Sequence, residues 1–287
     1  GEIRYCKFHD NTTDEVGLKQ RMKSVGSAFG ILKFHHNEIY NFHADAVKIS
    51  LHGTDFYNNT IHDRGWWKSD HPDGIQFWSS YTRIYNNYFY NFLRSDQVAE
   101  NSYIRYNPDS YQELNGDANN VQIYNNVFAE TRAPLAGSVF RGIELSFSDP
   151  TFRNANHIYV MNNTFVGTPF FGLCIATKAV STGANFSDIV IENNIFKDVC
   201  RTGFGAVTLV LGNGNGSIKY GSHGSGANVI VDNNSIYASS ATFKTDISYA
   251  GNIMGYSSFK SLSGCQSHDV VSDPLINADY SVATSPP

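Results

Sequence analysis

No apolar run in the chain approaches the roughly 18 residues that a membrane-crossing helix needs, so nothing in it reads as a membrane span. Basic blocks are missing too. The 21 Lys and Arg residues are scattered among 26 Asp and Glu, for a net charge of -5, which argues against nucleic acid as the principal partner. Four cysteines (Cys6, Cys174, Cys200 and Cys265) are spread through 287 residues without metal-like spacing, and are expected as buried thiols rather than a disulfide framework. Helical heptads are absent, and no apolar run of period 3.6 extends beyond two turns. Leu-rich and Trp-Asp phrases are absent as well, which excludes leucine-rich and propeller arrays. No secretory leader is present. The chain opens in mid-repeat at Gly1, as though a leader or earlier coils preceded it.

What the chain does have is a phrase that returns seven times: an aliphatic or aromatic residue, a spacer, one or two asparagines, a spacer, then Ile or Phe. It runs Phe34…Asn37…Ile39, Phe56…Asn58-Asn59…Ile61, Ile84…Asn86-Asn87…Phe89 and Ile123…Asn125-Asn126…Phe128. It continues as Val160…Asn162-Asn163…Phe165, Ile191…Asn193-Asn194…Phe196 and Val231…Asn233-Asn234…Ile236. A degenerate copy, Ile3…Tyr5-Cys6…Phe8, opens the chain with Cys6 in the slot of the second asparagine. The second asparagines are 22, 28, 39, 37, 31 and 40 residues apart, the period of a solenoid. Asparagine tolerates left-handed backbone angles, which suits a tight bend between two strands. Stacked coil upon coil, such asparagines can also bond one another's amides in a ladder. The expected fold is all-β, a right-handed parallel β-helix of about seven to nine coils with an asparagine ladder, and one domain over residues 1–287. Sequons at Asn58, Asn162 and Asn233 follow from the asparagine turn and say little about glycosylation.

Each coil should hold a further strand, and aligning those strands is informative. His43-Ala44-Asp45-Ala46-Val47-Lys48 lies over His71-Pro72-Asp73-Gly74-Ile75-Gln76 without a gap. Later coils offer Ile104-Arg105, Ile143-Glu144, Leu173-Cys174 and Val207-Thr208. Side chains alternate along a strand. In this register Val47, Ile75, Ile143, Leu173 and Val207 point inward, and Lys48, Gln76, Arg105, Glu144, Cys174 and Thr208 form an outward column at contact distance. The pairs His43/Asp45 and His71/Asp73, with Asp70 and Arg141 nearby, add to a charged face. Lys, Arg, His and carboxylates converging on one side of a rod are what acid–base work on a long acidic polymer requires.

Two intervals after Asn87 are long, with additions at Leu93–Gln122 and Glu130–Asn156, and long insertions on a solenoid tend to line one binding face. Trp66, Trp67 and Lys68 stand beside the column and Trp78 ends the Asp73 strand, a set suited to stacking on sugar rings. Gln76 joins them as a substrate contact.

On these phrases the chain resembles the pectate lyase-like right-handed β-helix superfamily over essentially its full length. The closing segment Ser272-Asp273-Pro274-Leu275, Asp279-Tyr280-Ser281-Val282 and Ser285-Pro286 resembles the ending common to bacterial β-helix repeat proteins, which implies a native or nearly native C-terminus. Lys48, followed by Asn58-Asn59-Thr60, resembles the Lys and Asn-Thr pattern of the chondroitinase B and alginate lyase family; the next coil carries Gln76 where that family has Arg, and Arg105 comes one coil later. His71-Pro72-Asp73-Gly74-Ile75 and Arg141-Gly142-Ile143-Glu144 resemble parts of the polygalacturonase pattern.

The superfamily includes lyases, hydrolases, epimerases and phage tailspikes. The resemblance implies an extracellular, cell-surface or virion-surface protein that cleaves an acidic polysaccharide, with β-elimination expected ahead of hydrolysis. In a lyase, Lys48, His43 or His71 takes the C5 proton and Arg105 or Arg141 neutralises the uronate. Asp45, Asp73 and Glu144 could hold a Ca²⁺ bridging to that carboxylate. In a hydrolase, Asp73 with Glu144 or Asp45 forms the acid and base pair. A non-catalytic glycan-binding tailspike is the alternative, a trimer where the enzyme is a monomer.

Overall fold

The computed structural model describes residues 1–11, 19–20, 31–43, 45–49, 51–65, 72–93, 100–106, 117–130, 132, 139–147, 154–168, 171–176, 185–200, 208–212, 219–243, 245–250, 252–263, 265, 273–274 and 276–277. Within them each asparagine phrase supplies two strands. The strand before the asparagines joins a first sheet, the strand after them joins a second, and the remainder of the coil adds a strand to a third. One such turn of chain is Thr54–Tyr57, Thr60–His62 and Ile75–Phe77. The next is Arg83–Tyr85, Tyr88–Tyr90 and Glu100–Tyr106. The two stack in register, Phe56 beside Ile84, Ile61 beside Phe89 and Ile75 beside Ile104. The three sheets hold nine, eight and nine strands. Among the described strands every pairing is parallel until the last, where Asn252–Met254 runs antiparallel to Ile247–Tyr249. Parallel strands stacked coil on coil in three sheets make a parallel β-helix, as the repeat predicts.

The two asparagines of each phrase divide the labour. The first takes the left-handed angle: Asn58, Asn86, Asn125, Asn162, Asn193 and Asn233 have φ between 53° and 57°. The second turns inward and stacks. Asn59 Oδ1 accepts from the backbone N–H of Asn37 at 3.0 Å and from its amide Nδ2 at 3.1 Å. The same pair of bonds links Asn59 to Asn87, Asn87 to Asn126, Asn126 to Asn163, Asn163 to Asn194 and Asn194 to Asn234. Each Nδ2 from Asn59 onward also donates to a strand carbonyl, as Asn59 does to Phe34 O at 3.0 Å. No polar atom of the column is wasted, which is how amides survive inside an apolar rod. Cys6 takes the place expected of it, its N–H donating to Asn37 Oδ1 at 2.9 Å.

Around this column the alternating Ile, Val and Phe positions fill the interior. Phe89, Phe128, Phe165 and Phe196 stack with ring centroids 5.0, 4.7 and 4.8 Å apart, following the rise of the coils. All four cysteines are free, with Cys174, Cys200 and Cys265 buried. Beyond the last strands the helix Tyr256–Ser263 packs Phe259 against Tyr249. No described helix is long and apolar enough to cross a membrane.

Candidate functional site

The chain enters the third sheet through a corner where three coils leave no room for a side chain. A Cβ on Gly74 would lie 2.5 Å from Tyr103 O and 2.8 Å from the Phe92 ring, and one on Gly142 or Gly172 would collide with the rings of Phe165 or Phe196. These glycines face the core, so the residue before each of them is turned outward. Two residues on, strand alternation brings a second outward position. The result is a pair of adjacent columns on the outer face. One runs Asp45, Asp73, Ser102, Arg141 and Phe171, the other Lys48, Gln76, Arg105, Glu144 and Cys174. The register carries both: Lys48 lies beside Gln76, Gln76 beside Arg105, Arg105 beside Glu144 and Glu144 beside Cys174.

Side chains of the two columns close on one another. Lys48 Nζ lies 2.9 Å from Asp45 Oδ2, three residues back. Arg141 Nη1 and Arg105 Nε stand 3.7 and 3.6 Å from Glu144 Oε2, both too long for hydrogen bonds. Along the first column the Asp73 N–H donates to Asp45 Oδ1 at 2.8 Å and the Ser102 N–H to Asp73 Oδ1 at 2.7 Å. The Ser102 hydroxyl points to Glu144 Oε2 at 3.3 Å. Asp73 Oδ2 has no hydrogen-bond partner, although Asp73 is only 1 % exposed. Arg105 Nε has no hydrogen-bond partner either.

Burial pushes the Asp73 carboxyl well above the usual carboxylate range, and the charges of Asp45 and Glu144 push the same way against Arg105 and the Ser102 N–H. Asp45 is raised by burial too, with Lys48 opposing. Two carboxyls stacked on adjacent coils do not both ionise readily, and Asp73, without a cation of its own, is the one pushed up further. Three coils beyond Asp73, burial and the neighbouring Glu144 push the Cys174 thiol up to about 12, so it is inert.

Several expectations need correcting. The face is solvated only in part: Lys48, Gln76, Arg105 and Arg141 are half-buried, but Asp45, Asp73, Ser102 and Glu144 are 6, 1, 0 and 6 % exposed, because pointing away from the core of a strand is not the same as facing water. Trp78 is 4 % exposed and offers no open ring face to a sugar. Thr208 is not the outward residue of its coil. Leu209 sits beside Leu173 and Val210 beside Cys174, a slip of two residues that preserves the alternation and so could not be seen in the pattern. His43 leaves the column: its ring lies over Gly65, where an added Cβ would be 2.7 Å away, and it acts on the charge of Asp10. Among the described residues no three His, Cys, Asp or Glu side chains gather as a metal ion needs. Asp45, Asp73 and Glu144 are spread along the solenoid axis with Lys48, Arg105 and Arg141 among them, so these residues do not fit a Ca²⁺ site. Trp66, Trp67, Lys68, Asp70, His71 and Val207 lie outside the described residues.

Ser102 was missed, because a serine carries no charge to draw attention. The alignment of Ile75 with Ile104 places it in the Asp73 slot all the same. Glu130 was missed as well. Its Oε2 accepts the Leu93 N–H and its Oε1 the Arg132 N–H, both at 2.8 Å, while Arg132 donates to Leu93 O at 3.0 Å and pairs with Asp63. Glu130 thus fastens together the roots of both additions. Burial raises its carboxyl to about 7. The described parts of those additions lengthen strands, from three residues in Arg83–Tyr85 to eight in Asp117–Tyr124 and Val139–Ser146.

No family model matches the chain, and no curated protein does. Among solved structures, a hyperthermoactive exopolygalacturonase from Thermotoga maritima is similar at 12 % identity and a TM-score of 0.39, over 78 % of this chain and 53 % of that enzyme. The chain spans about half the length of that enzyme.

Proposed function

We propose that this β-helix cleaves an acidic, uronate-containing polysaccharide on the outer face of its third sheet, by hydrolysis, with Asp73 as the general acid. The observation that carries the reading is Asp73 itself. One of its oxygens is tied to the Ser102 N–H, the other is buried and unpartnered, and its carboxyl is raised well above the usual range. A carboxylic acid that accepts at Oδ1 carries its proton on Oδ2, the oxygen left for a ligand.

In the cleaving step Asp73 Oδ2 gives its proton to the glycosidic oxygen as the bond to the anomeric carbon breaks. Glu144 takes a proton from the water that attacks that carbon, so Asp73 ends as carboxylate and Glu144 as acid. The two residues stand two coils apart, roughly 9–10 Å between strand backbones, and the separation of their carboxyl groups sets whether the configuration is inverted or retained. Arg105, whose Nε makes no hydrogen bond, and Arg141, held 5.8 Å over the Phe171 ring, supply the cations for the uronate. Gln76 adds a neutral contact between them and Lys48.

Elimination is less well served. Lys48 would have to act as a neutral base, yet its ammonium sits 2.9 Å from a carboxylate that favours the charged form. A polymer of this kind places the protein's work outside the cell or at a cell or virion surface, and a monomer suffices for it. The test is digestion of pectate, alginate and chondroitin followed by two readouts. New reducing ends without the ultraviolet absorbance of unsaturated uronates support hydrolysis, and that absorbance would mean elimination instead. Glycan binding without cleavage would leave an adhesin.

A further inference from the structure

The coils of Asp45 and Asp73 are built on one plan. Asp45-Ala46-Val47-Lys48 lies over Asp73-Gly74-Ile75-Gln76 in register, and the strands Val47–Ile49 and Ile75–Phe77 bury their first and third residues alike. On the first coil the residue three positions on is a cation that holds the carboxylate, Lys48 Nζ to Asp45 Oδ2 at 2.9 Å. Glu144 likewise has Arg141 three positions back and Arg105 on the neighbouring strand. On the Asp73 coil that position is Gln76, a neutral amide.

We infer that Gln76 is a positioning residue that decides which carboxyl reacts: by standing where Lys48 stands one coil earlier, it leaves the buried Asp73 Oδ2 without an ion-pair partner to hold it as a carboxylate. This rests on the reading of Asp73 as general acid. Among the described residues, the charged groups that act on Asp73 are Asp45, Arg105 and Glu144. Lys48 is held by Asp45, and Arg105 lies within ion-pair distance of Glu144. A cation at position 76 would therefore meet Asp73 Oδ2, a buried carboxyl oxygen that has no hydrogen-bond partner. The register places its Cα opposite that of Lys48, so a lysine there reaches Asp73 as Lys48 reaches Asp45.

Two variants separate the absence of charge from the amide itself. Gln76→Lys is expected to form the new ion pair, seen in a crystal structure as Nζ within hydrogen-bond distance of Asp73 Oδ2. It should lose about 100-fold or more in kcat on a polymer that the unaltered protein cleaves. Gln76→Met, uncharged and of similar length, is expected to keep kcat within about threefold while KM rises, the mark of a lost binding contact. A new ion pair with undiminished kcat overturns the inference. So does a Gln76→Met variant that loses kcat as deeply as Gln76→Lys, because the amide would then be needed for itself. A fall in kcat without the ion pair overturns it as well. Failure of the unaltered protein to cleave any acidic polysaccharide overturns the proposed function, and this inference with it, at a point that no Gln76 variant reaches.

Discussion

Two polar columns run along this solenoid, and they treat burial in opposite ways. In the asparagine column every backbone N–H donates to the Oδ1 of the coil that follows, as Asn59 does to Asn87. In the aspartate column the donation runs to the coil before, from Asp73 to Asp45 and from Ser102 to Asp73. An amide has a donor and an acceptor, so the first column satisfies itself and repeats from Asn37 to Asn234 without accumulating charge. An ionised carboxylate only accepts. Stacking a second one requires a cation or a proton, and after two aspartates the column changes to Ser102. One column is a structural spine that could extend indefinitely. The other is a local excess of acid in which Lys48 answers one carboxyl, while burial and the neighbouring charges push the next toward its neutral form.

That difference can be broken by exchange, and the largest effect should come from Asp73→Asn. It turns one rung of the aspartate column into an amide of the same size. Turnover on the cleaved polymer is expected to fall about 10²–10⁴-fold, measured as reducing ends released, while the melting temperature does not fall. Lost turnover together with a collapsed fold would make Asp73 a member of the spine instead.

The converse exchange should cost stability and leave the chemistry in place. Asn126→Leu removes the amide that accepts from Asn87 and donates to Asn163, Ile84 and Tyr124, stranding several buried groups. With about 1–3 kcal/mol for each unsatisfied group, a loss of roughly 3–5 kcal/mol is expected in denaturant unfolding. A loss below about 1 kcal/mol would show that the ladder is ornament on an apolar core.

The third test follows pH. The folded chain binds a proton at Asp73 more tightly than the unfolded chain, which releases it near pH 4. Its contribution is therefore full below that value and is lost as pH rises through the folded-state pKa. Asp45 adds a slope of the same sign, and Glu130 another between pH 4.5 and about 7. Stability measured by denaturant from pH 4 to 8 should fall for the unaltered chain and fall less for Asp73→Asn. Equal slopes would mean that Asp73 is ionised in the fold.

The smallest effect belongs to the first asparagine of a phrase. Asn125 is exposed with φ 56°, and its place is set by backbone angle alone. Asn125→Gly should change stability by less than about 0.5 kcal/mol and Asn125→Ala by about 1 kcal/mol.

The spine was legible because asparagine serves two local needs, a left-handed angle and a self-pairing amide, and both leave a mark at each turn. The pairing of Lys48 with Gln76 was legible for a similar reason: the His-x-Asp step recurs at His43/Asp45 and His71/Asp73, each two residues before the inward Val47 or Ile75, and carries the register between adjacent coils. Legibility ended where no such step recurs to anchor the alignment. The two-residue slip that replaced Thr208 with Val210 conserves alternation, so no pattern of apolar residues distinguishes the registers. Trp78 and Asp73 were placed on the correct strands but given the wrong surroundings, since a repeat specifies direction from the core and not what lies outside it.

What the sequence determined by itself was the class of fold and the stacking of its spine, because each coil repeats the same local interactions with its neighbours along one axis. Only the tertiary structure decided that Asp45, Asp73 and Glu144 are buried, that Ser102 stands between the last two, and that one carboxyl oxygen is left without a partner. Those properties depend on desolvation and on contacts between coils separated by 28 to 42 residues. Neither is encoded in the spacing of a repeat.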